Sequence, residues 1–167
     1  MKKKEEGFTL IELLVVVGIL AVLTVTLLST FNPVDQLNKA YDARRKSDLA
    51  QIQRALQIYY QDNNSYPQSV SNEIAPGITP TPVPWGSPWQ PYINVLPKDP
   101  GGKTYVYYSP DGQTYYLYAS LDRGSLDSQA CKGVNNACSG AGSGISSYQT
   151  ACGGVCNYGV SSPNTSP

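Results

Sequence analysis

Between Phe8 and Phe31 apolar residues follow one another with a single charged interruption, Glu12. As a helix, a run of that length crosses a hydrocarbon core of roughly 30 Å, so the pattern predicts a membrane-spanning segment. At Asn32-Pro33 the proline lacks a backbone donor, which predicts a kink or interruption where the chain leaves the bilayer. Beyond it Val34, Leu37 and Tyr41, then Leu49, Ile52, Leu56 and Tyr59, recur at threes and fours. Asp42, Arg45, Asp48, Gln51 and Arg54 fall on the other faces, so this stretch predicts an amphipathic helix whose stripe packs on a sheet. Asn63-Asn64-Ser65-Tyr66-Pro67 ends it with turn formers and a proline. The two stretches read together as one long helix, apolar through its first half and packed on a head through its second.

From Ser69 to Pro100 the chain carries Pro76, Pro80, Pro82, Pro84, Pro88, Pro91, Pro97 and Pro100. That density excludes a regular helix and most interior strands, and predicts a connecting loop that wraps the head. Trp85, Trp89 and Tyr92 within it are read as packing onto the helix or sheet, with a sugar-binding or subunit-contact platform as the rival. Lys103–Tyr108 and Thr114–Ser120, rich in aromatic and β-branched residues, flank a Ser109-Pro110-Asp111-Gly112-Gln113 turn and predict a β-hairpin. Tyr115, Leu117 and Ala119 share one face, Tyr116, Tyr118 and Ser120 the other, and the phenols suit one covered and one partly wet side. After Asp127 the chain turns to Gly, Ser, Asn and Cys, too poor in large apolar residues for a core of its own. The last seven residues, Ser161–Pro167, read as a disordered tail. The fold class is α+β: a long N-terminal helix on a small antiparallel sheet, with a cysteine-containing C-terminal lobe.

Without the leader and the apolar stretch roughly 135 residues remain, enough for one small domain. The formal net charge is +0 and there is no histidine. Basic residues are scattered beyond Arg44-Arg45-Lys46, so no nucleic-acid footprint is indicated. The missing imidazole removes the commonest general base, no carboxylate pair has compelling spacing, and no catalytic residue is assigned. Lys2, Lys3 and Lys4 precede the apolar run and by the positive-inside tendency stay cytoplasmic, which exports everything after Phe31. Cys131, Cys138, Cys152 and Cys156 then lie in an oxidising compartment. Loop closure favours Cys131 with Cys138 and Cys152 with Cys156. A tetrahedral zinc site is the alternative, with spacers that depart from the usual repeated pattern.

Glu12 is the anomaly. A carboxylate near the end of a membrane-spanning stretch costs roughly 2.5–3.5 kcal/mol on insertion scales and persists where a partner is available. The segment Met1–Gly7 offers none. If the chain were cut after Gly7, Phe8 would carry a new α-ammonium that a neighbouring copy could present to Glu12. A basic leader ending in glycine, followed by Phe8-Thr9-Leu10-Ile11-Glu12-Leu13-Leu14-Val15-Val16-Val17, resembles the class III signal of type IV pilins and type II secretion pseudopilins. The resemblance implies a prepilin peptidase that cuts between Gly7 and Phe8 and methylates Phe8, with Glu12 guiding subunit assembly. The alternative is an ordinary uncleaved signal anchor; a cleavable secretory signal is disfavoured because the apolar run exceeds the usual ~7–15 residues.

Two further stretches extend the likeness. Tyr59-Tyr60-Gln61-Asp62-Asn63-Asn64-Ser65-Tyr66-Pro67 looks like the helix exit common among pseudopilins. Leu96-Pro97-Lys98-Asp99-Pro100-Gly101-Gly102-Lys103-Thr104-Tyr105-Val106-Tyr107 looks like the loop-to-strand junction of the major pseudopilin, departing at Gly101, where that family usually has tryptophan. The resemblance also implies a calcium-binding loop at Ser120–Asp127, for which Asp122, Ser125 and Asp127 are the candidate ligands, although Arg123 sits between them.

The expected organisation is a cleaved leader (1–7), a transmembrane or filament-core helix (8–31), the amphipathic helix of the head (32–66), the proline-rich loop and hairpin (67–127) and a C-terminal lobe and tail (128–167). The function implied is a structural subunit of a type IV filament, foremost the pseudopilus of a type II secretion system. Its partners would be the prepilin peptidase, identical and minor pilin-like subunits, and an assembly platform in the inner or cytoplasmic membrane. A type IV or DNA-uptake pilus subunit, or an anchored ligand-binding module, are the alternative readings.

Overall fold

The computed structural model describes residues 7–30 and 32–167; the leader lysines and Phe31 lie outside the described residues. The chain divides into two compact units, one ending at Leu37 and one spanning Asn38–Pro167.

The first unit holds helix α1 (Leu10–Thr30). Its large apolar side chains from Leu10 to Leu27 are between 52 and 81 % exposed. A helix apolar all round finds its stable environment in lipid or among other helices, and among the described residues this one alone is long and apolar enough to cross a membrane. The hydroxyls of Thr24 and Thr26 donate back to the carbonyls of Leu20 (2.7 Å) and Leu23 (2.8 Å), so neither presents an unsatisfied polar group to such surroundings.

The interruption expected at Asn32-Pro33 is present in the long N-terminal helix. Helix α2 (Pro33–Asn63) begins afresh at the proline. The Asn32 side-chain oxygen accepts the Asp35 N–H at 3.4 Å and its carbonyl accepts the Gln36 N–H at 3.2 Å. Asn32 is thus an N-cap, and Pro33 stands at the first helical position, where its missing donor costs nothing.

In the second unit Leu49, Ile52 and Leu56 of α2 are wholly buried. Asp42, Arg45 and Asp48, expected on outward faces, are buried as well. Positions 42, 45, 49, 52, 56 and 59 keep the spacing of threes and fours, so the inward stripe runs on through an aspartate and an arginine.

The predicted hairpin forms as β3 (Val106–Tyr108) and β4 (Tyr116–Ala119), with Val106 opposite Tyr118 and Tyr108 opposite Tyr116. Gly112 takes φ +68° in the turn, and Asp111 accepts the N–H groups of Gln113 and Thr114 at 2.9 and 2.8 Å.

Two further expectations need correction. The proline-rich stretch opens with a second hairpin, β1 (Gln68–Val70) and β2 (Glu73–Ala75), turned by Ser71 and Asn72 at φ 53° and 66°. Two adjacent positive φ values match the twist of the strands they join. The Asn72 carbonyl accepts the Tyr107 N–H at 2.8 Å, fastening this hairpin to β3. The polar end is not a loose tail: β5 (Tyr158–Ser161) pairs antiparallel with β4, and the buried Ser162 donates its N–H to the Tyr115 carbonyl at 3.1 Å.

The sheet has one covered face and one partly exposed face, as the phenols led one to expect: Tyr108 and Tyr116 on the outer face are only partly buried. Tyr105, Tyr107, Tyr115, Leu117 and Ala119 pack with the α2 stripe, while Val106 and Tyr118 pack with Cys138, Ile145, Cys152 and Cys156. The C-terminal lobe solves its shortage of apolar residues by borrowing the sheet's outer face. It is stapled by Cys131–Cys138 and Cys152–Cys156, with Cα separations of 5.0 and 5.3 Å. Trp89 is buried against Tyr59, their ring centres 5.6 Å apart, and Trp85 meets Tyr105 edge-on at 5.7 Å, so the loop aromatics face the core.

Candidate functional site

Two places in the molecule concentrate chemistry. The first is the start of α1. Gly7 is exposed and Phe8 is 88 % exposed. Thr9 caps the helix: its N–H and its hydroxyl donate to Glu12 Oε2 at 2.9 and 2.8 Å, and the Glu12 N–H donates to Thr9 Oγ1 at 3.3 Å. This is the reciprocal bonding of a capping box, whose signal, Thr-x-x-Glu before an apolar run, is legible in Thr9-Leu10-Ile11-Glu12 and went unread. Thr9 therefore gives Glu12 an intrachain partner. It supplies hydrogen bonds but no positive charge, so it does not neutralise the carboxylate.

The second place is a buried ionic cluster centred on Arg45 of α2, which is 0 % exposed. Its Nε donates to Asp99 Oδ2 at 2.6 Å, and its Nη1 donates to Asp42 Oδ1 at 2.8 Å and Asp122 Oδ2 at 2.6 Å. The remaining acceptor capacity is used by backbone. Asp42 takes the N–H groups of Asp122 and Arg123, both at 2.8 Å, and Asp99 takes those of Gly101 and Lys103 at 2.8 and 3.0 Å. One guanidinium thus ties α2 to the 97–103 loop and to the turn after β4. The departure at Gly101 has a steric reason: a Cβ there would lie 2.7 Å from Arg45 Nη2.

Burial pushes the Asp99 carboxyl up, but the bonds from Arg45 and from the Lys103 and Gly101 N–H groups outweigh it and hold it below the ordinary carboxylate range. Asp122 is likewise raised by burial and lowered further by Arg45 and Lys103. Asp127 is lowered chiefly by Lys46. Asp48 goes the other way, burial outweighing the 2.7 Å bond from the Tyr105 hydroxyl.

Depressed carboxylates contribute stability that is present above their unfolded value of about 3.9 and is lost as pH falls through the lower folded one. Asp48, raised, contributes in the opposite sense, losing its share as pH rises above that value. Thermal unfolding of the protein is expected to show Tm falling as pH drops from about 4 towards 2, and Asp122→Asn is expected to flatten that fall. An unchanged slope in the variant would remove Asp122 from the explanation.

The candidate calcium ligands are not gathered round a common point. Asp122 Oδ1 accepts from Lys103 Nζ at 2.6 Å while its other oxygen holds Arg45. Asp127 Oδ2 accepts from Lys46 Nζ at 2.5 Å, and Ser125 is exposed. Among the described residues no three His, Cys, Asp or Glu side chains are placed to hold a metal ion. A donor set already engaged by three cationic side chains does not fit a divalent cation.

Comparison with known proteins agrees with the N-terminal and junction motifs. The family described as "Type II secretion system (T2SS), protein G" matches residues 32–136, and the "Prokaryotic N-terminal methylation motif" matches residues 2–28. The chain is 34% identical over 135 residues to the type II secretion system core protein G of Pectobacterium carotovorum subsp. carotovorum, covering 80% of this chain and 82% of that one. It is 35% identical over 130 residues to the core protein G of Vibrio cholerae serotype O1 (76% and 81% covered) and 32% identical over 135 residues to that of Pseudomonas aeruginosa (77% and 94%). No solved structure matches the chain. With a family match over more than half its length and relatives above 30% identity over most of theirs, the chain belongs to the protein G family of type II secretion system pseudopilins.

Proposed function

We propose that this protein is a structural subunit of a type II secretion pseudopilus, a filament that serves protein export, and that it matures by cleavage after Gly7 and methylation of the new N-terminus at Phe8. The observation that carries the reading is α1: a helix with an apolar surface all round and one carboxylate, Glu12, in its first turn. Alone in water such a surface is a liability, whereas packed among copies of itself it becomes a filament core.

In the precursor the helix lies in the membrane with Met1–Gly7 cytoplasmic and the head exported, as the leader lysines and the disulfide-bonded lobe favour. Prepilin peptidase removes the leader, and the Phe8 ammonium of one subunit then meets Glu12 of a neighbour. The pair neutralises two charges that lipid would penalise separately, and so favours extraction in register. Identical and minor subunits, with an assembly platform in the membrane, complete the partner set. The head's role is to present a rigid, stapled surface along the filament.

The test is production of the chain in cells that carry its secretion machinery, followed by shearing and fractionation. The wild type is expected in sheared filaments. Gly7→Leu, which places a bulky side chain at the cut, is expected to remain full length in the membrane with no filament material. Normal maturation of Gly7→Leu, or its presence in filaments, would contradict the assignment.

A further inference from the structure

The turn that follows β4 has the donor types of a cation site, and the protein fills it with its own cations. Lys103 Nζ lies 3.1 Å from the Ser120 carbonyl oxygen, 3.2 Å from Ser120 Oγ and 2.6 Å from Asp122 Oδ1. A carbonyl, a hydroxyl and a carboxylate are the hard oxygen ligands that a calcium ion would recruit. Here they surround an ammonium with three donors, one for each oxygen. At the other end of the turn Lys46 Nζ bridges Asp127 Oδ2 and Gln129 Oε1, at 2.5 and 2.9 Å. Between the two, Arg45 binds the second oxygen of Asp122, while Asp42 accepts the N–H groups of residues 122 and 123.

We propose that Lys103, Arg45 and Lys46 together do for the 120–129 turn what a bound divalent cation would otherwise do, so that the head folds and stays folded without calcium.

The ion pairs support this assignment. Asp42, Asp99, Asp122 and Asp127 are already bonded to Arg45, Lys46 and Lys103, and the cluster also accepts several backbone N–H groups. A divalent ion entering beside Asp122 would have to displace two cations already bonded to it, or sit against them, and like-charge repulsion at such distances opposes both. The anchors also come from distant parts of the chain: Lys46 and Arg45 from α2, Lys103 from the start of the β3 segment. Each therefore closes a long loop onto the turn, as an ion shared by a short loop would not. The proposal is independent of the filament reading, since it concerns what orders the head before any assembly.

The experiment uses the full-length chain in detergent, unfolded thermally in excess EGTA and in millimolar calcium chloride, with calcium titrated calorimetrically into the chelator-free protein. A ligand that binds only the folded state raises its Tm. The expected result is the same Tm in both solutions and no saturable heat of calcium binding. Lys103→Met, which keeps the aliphatic stem and removes the ammonium, is expected to lower Tm equally with and without calcium. A wild-type Tm that falls in EGTA and recovers with calcium, a saturable calcium isotherm, or a Lys103→Met variant as stable as wild type would each overturn the proposal. The wild-type measurements stand even if the variant fails to fold.

Discussion

Arg45→Met is expected to destabilise the head by about 3–5 kcal/mol, the cost of breaking a buried ion pair and leaving Asp42 and Asp99 without their counter-charge. Folded domains carry only about 5–15 kcal/mol in total, so the variant should sit at or near the edge of unfolding. Methionine keeps the unbranched stem of arginine out to the position of Nε, so the effect reports chiefly the loss of the guanidinium. Asp99 has side-chain exposure of 1 % and Asp42 of 8 %, and neither can recover its lost partner from solvent. Arg45→Lys should fall between the two, because one ammonium cannot reach Asp99, Asp42 and Asp122 with the geometry of a planar fork. The midpoint of guanidinium unfolding, followed by near-ultraviolet signals from the buried tyrosines, gives the measurement. A loss below ~1 kcal/mol, the range of an exposed pair, would mean that the cluster is ornamental to stability.

The second large effect is expected at Glu12, where two roles separate. Glu12→Gln preserves the capping box, since glutamine at that position also bonds back to the cap, but removes the charge. Glu12→Ala removes both. If the carboxylate acts by pairing with the Phe8 ammonium of a neighbouring subunit, both variants should be cleaved normally and both should enter filaments poorly beside wild-type subunits. A loss of about 2 kcal/mol for an uncompensated charge corresponds to more than a tenfold drop in incorporation. Quantitative comparison of tagged variant and wild-type subunits in sheared filaments measures it. Incorporation of Glu12→Gln at the wild-type level, with Glu12→Ala defective, would assign Glu12 to helix capping alone.

The legible parts of this chain were those with strong periodicity or strong punctuation. The apolar run of α1, the stripe of α2 from Leu49 to Tyr59 and the hairpin around Gly112 each combine several mutually supporting residues, and each formed where the pattern placed it. What escaped was short or disguised. Strand β5 has four residues, one of them glycine, and gains its order from β4 and not from its own propensity. The β1–β2 hairpin turns on Ser71-Asn72, a weaker signal than Asn-Gly for the same backbone geometry.

Arg45 was hidden by its charge. A stripe is read from apolar residues, and a buried arginine breaks that reading although it obeys the spacing. At the N-terminus the motif Gly7-Phe8-Thr9-Leu10-Ile11-Glu12 is visible as a unit, but within it Thr9 carries no charge to mark it, although its two bonds fix the position of the Glu12 carboxylate. The cysteine pairs followed from proximity alone, whereas the docking of their lobe on Val106 and Tyr118 depends on which sheet face α2 leaves uncovered, and alternation cannot decide that.

In the proposed function, cleavage after Gly7 would create the ammonium that pairs with Glu12, and filament assembly would depend on it. The most direct measurement is therefore the intact mass of the protein extracted from membranes of cells that contain a prepilin peptidase. The predicted result is a chain beginning at Phe8, lacking Met1–Gly7, with one added methyl group and a further mass deficit of four hydrogens for the two disulfides. A full-length, unmethylated chain under those conditions would contradict it.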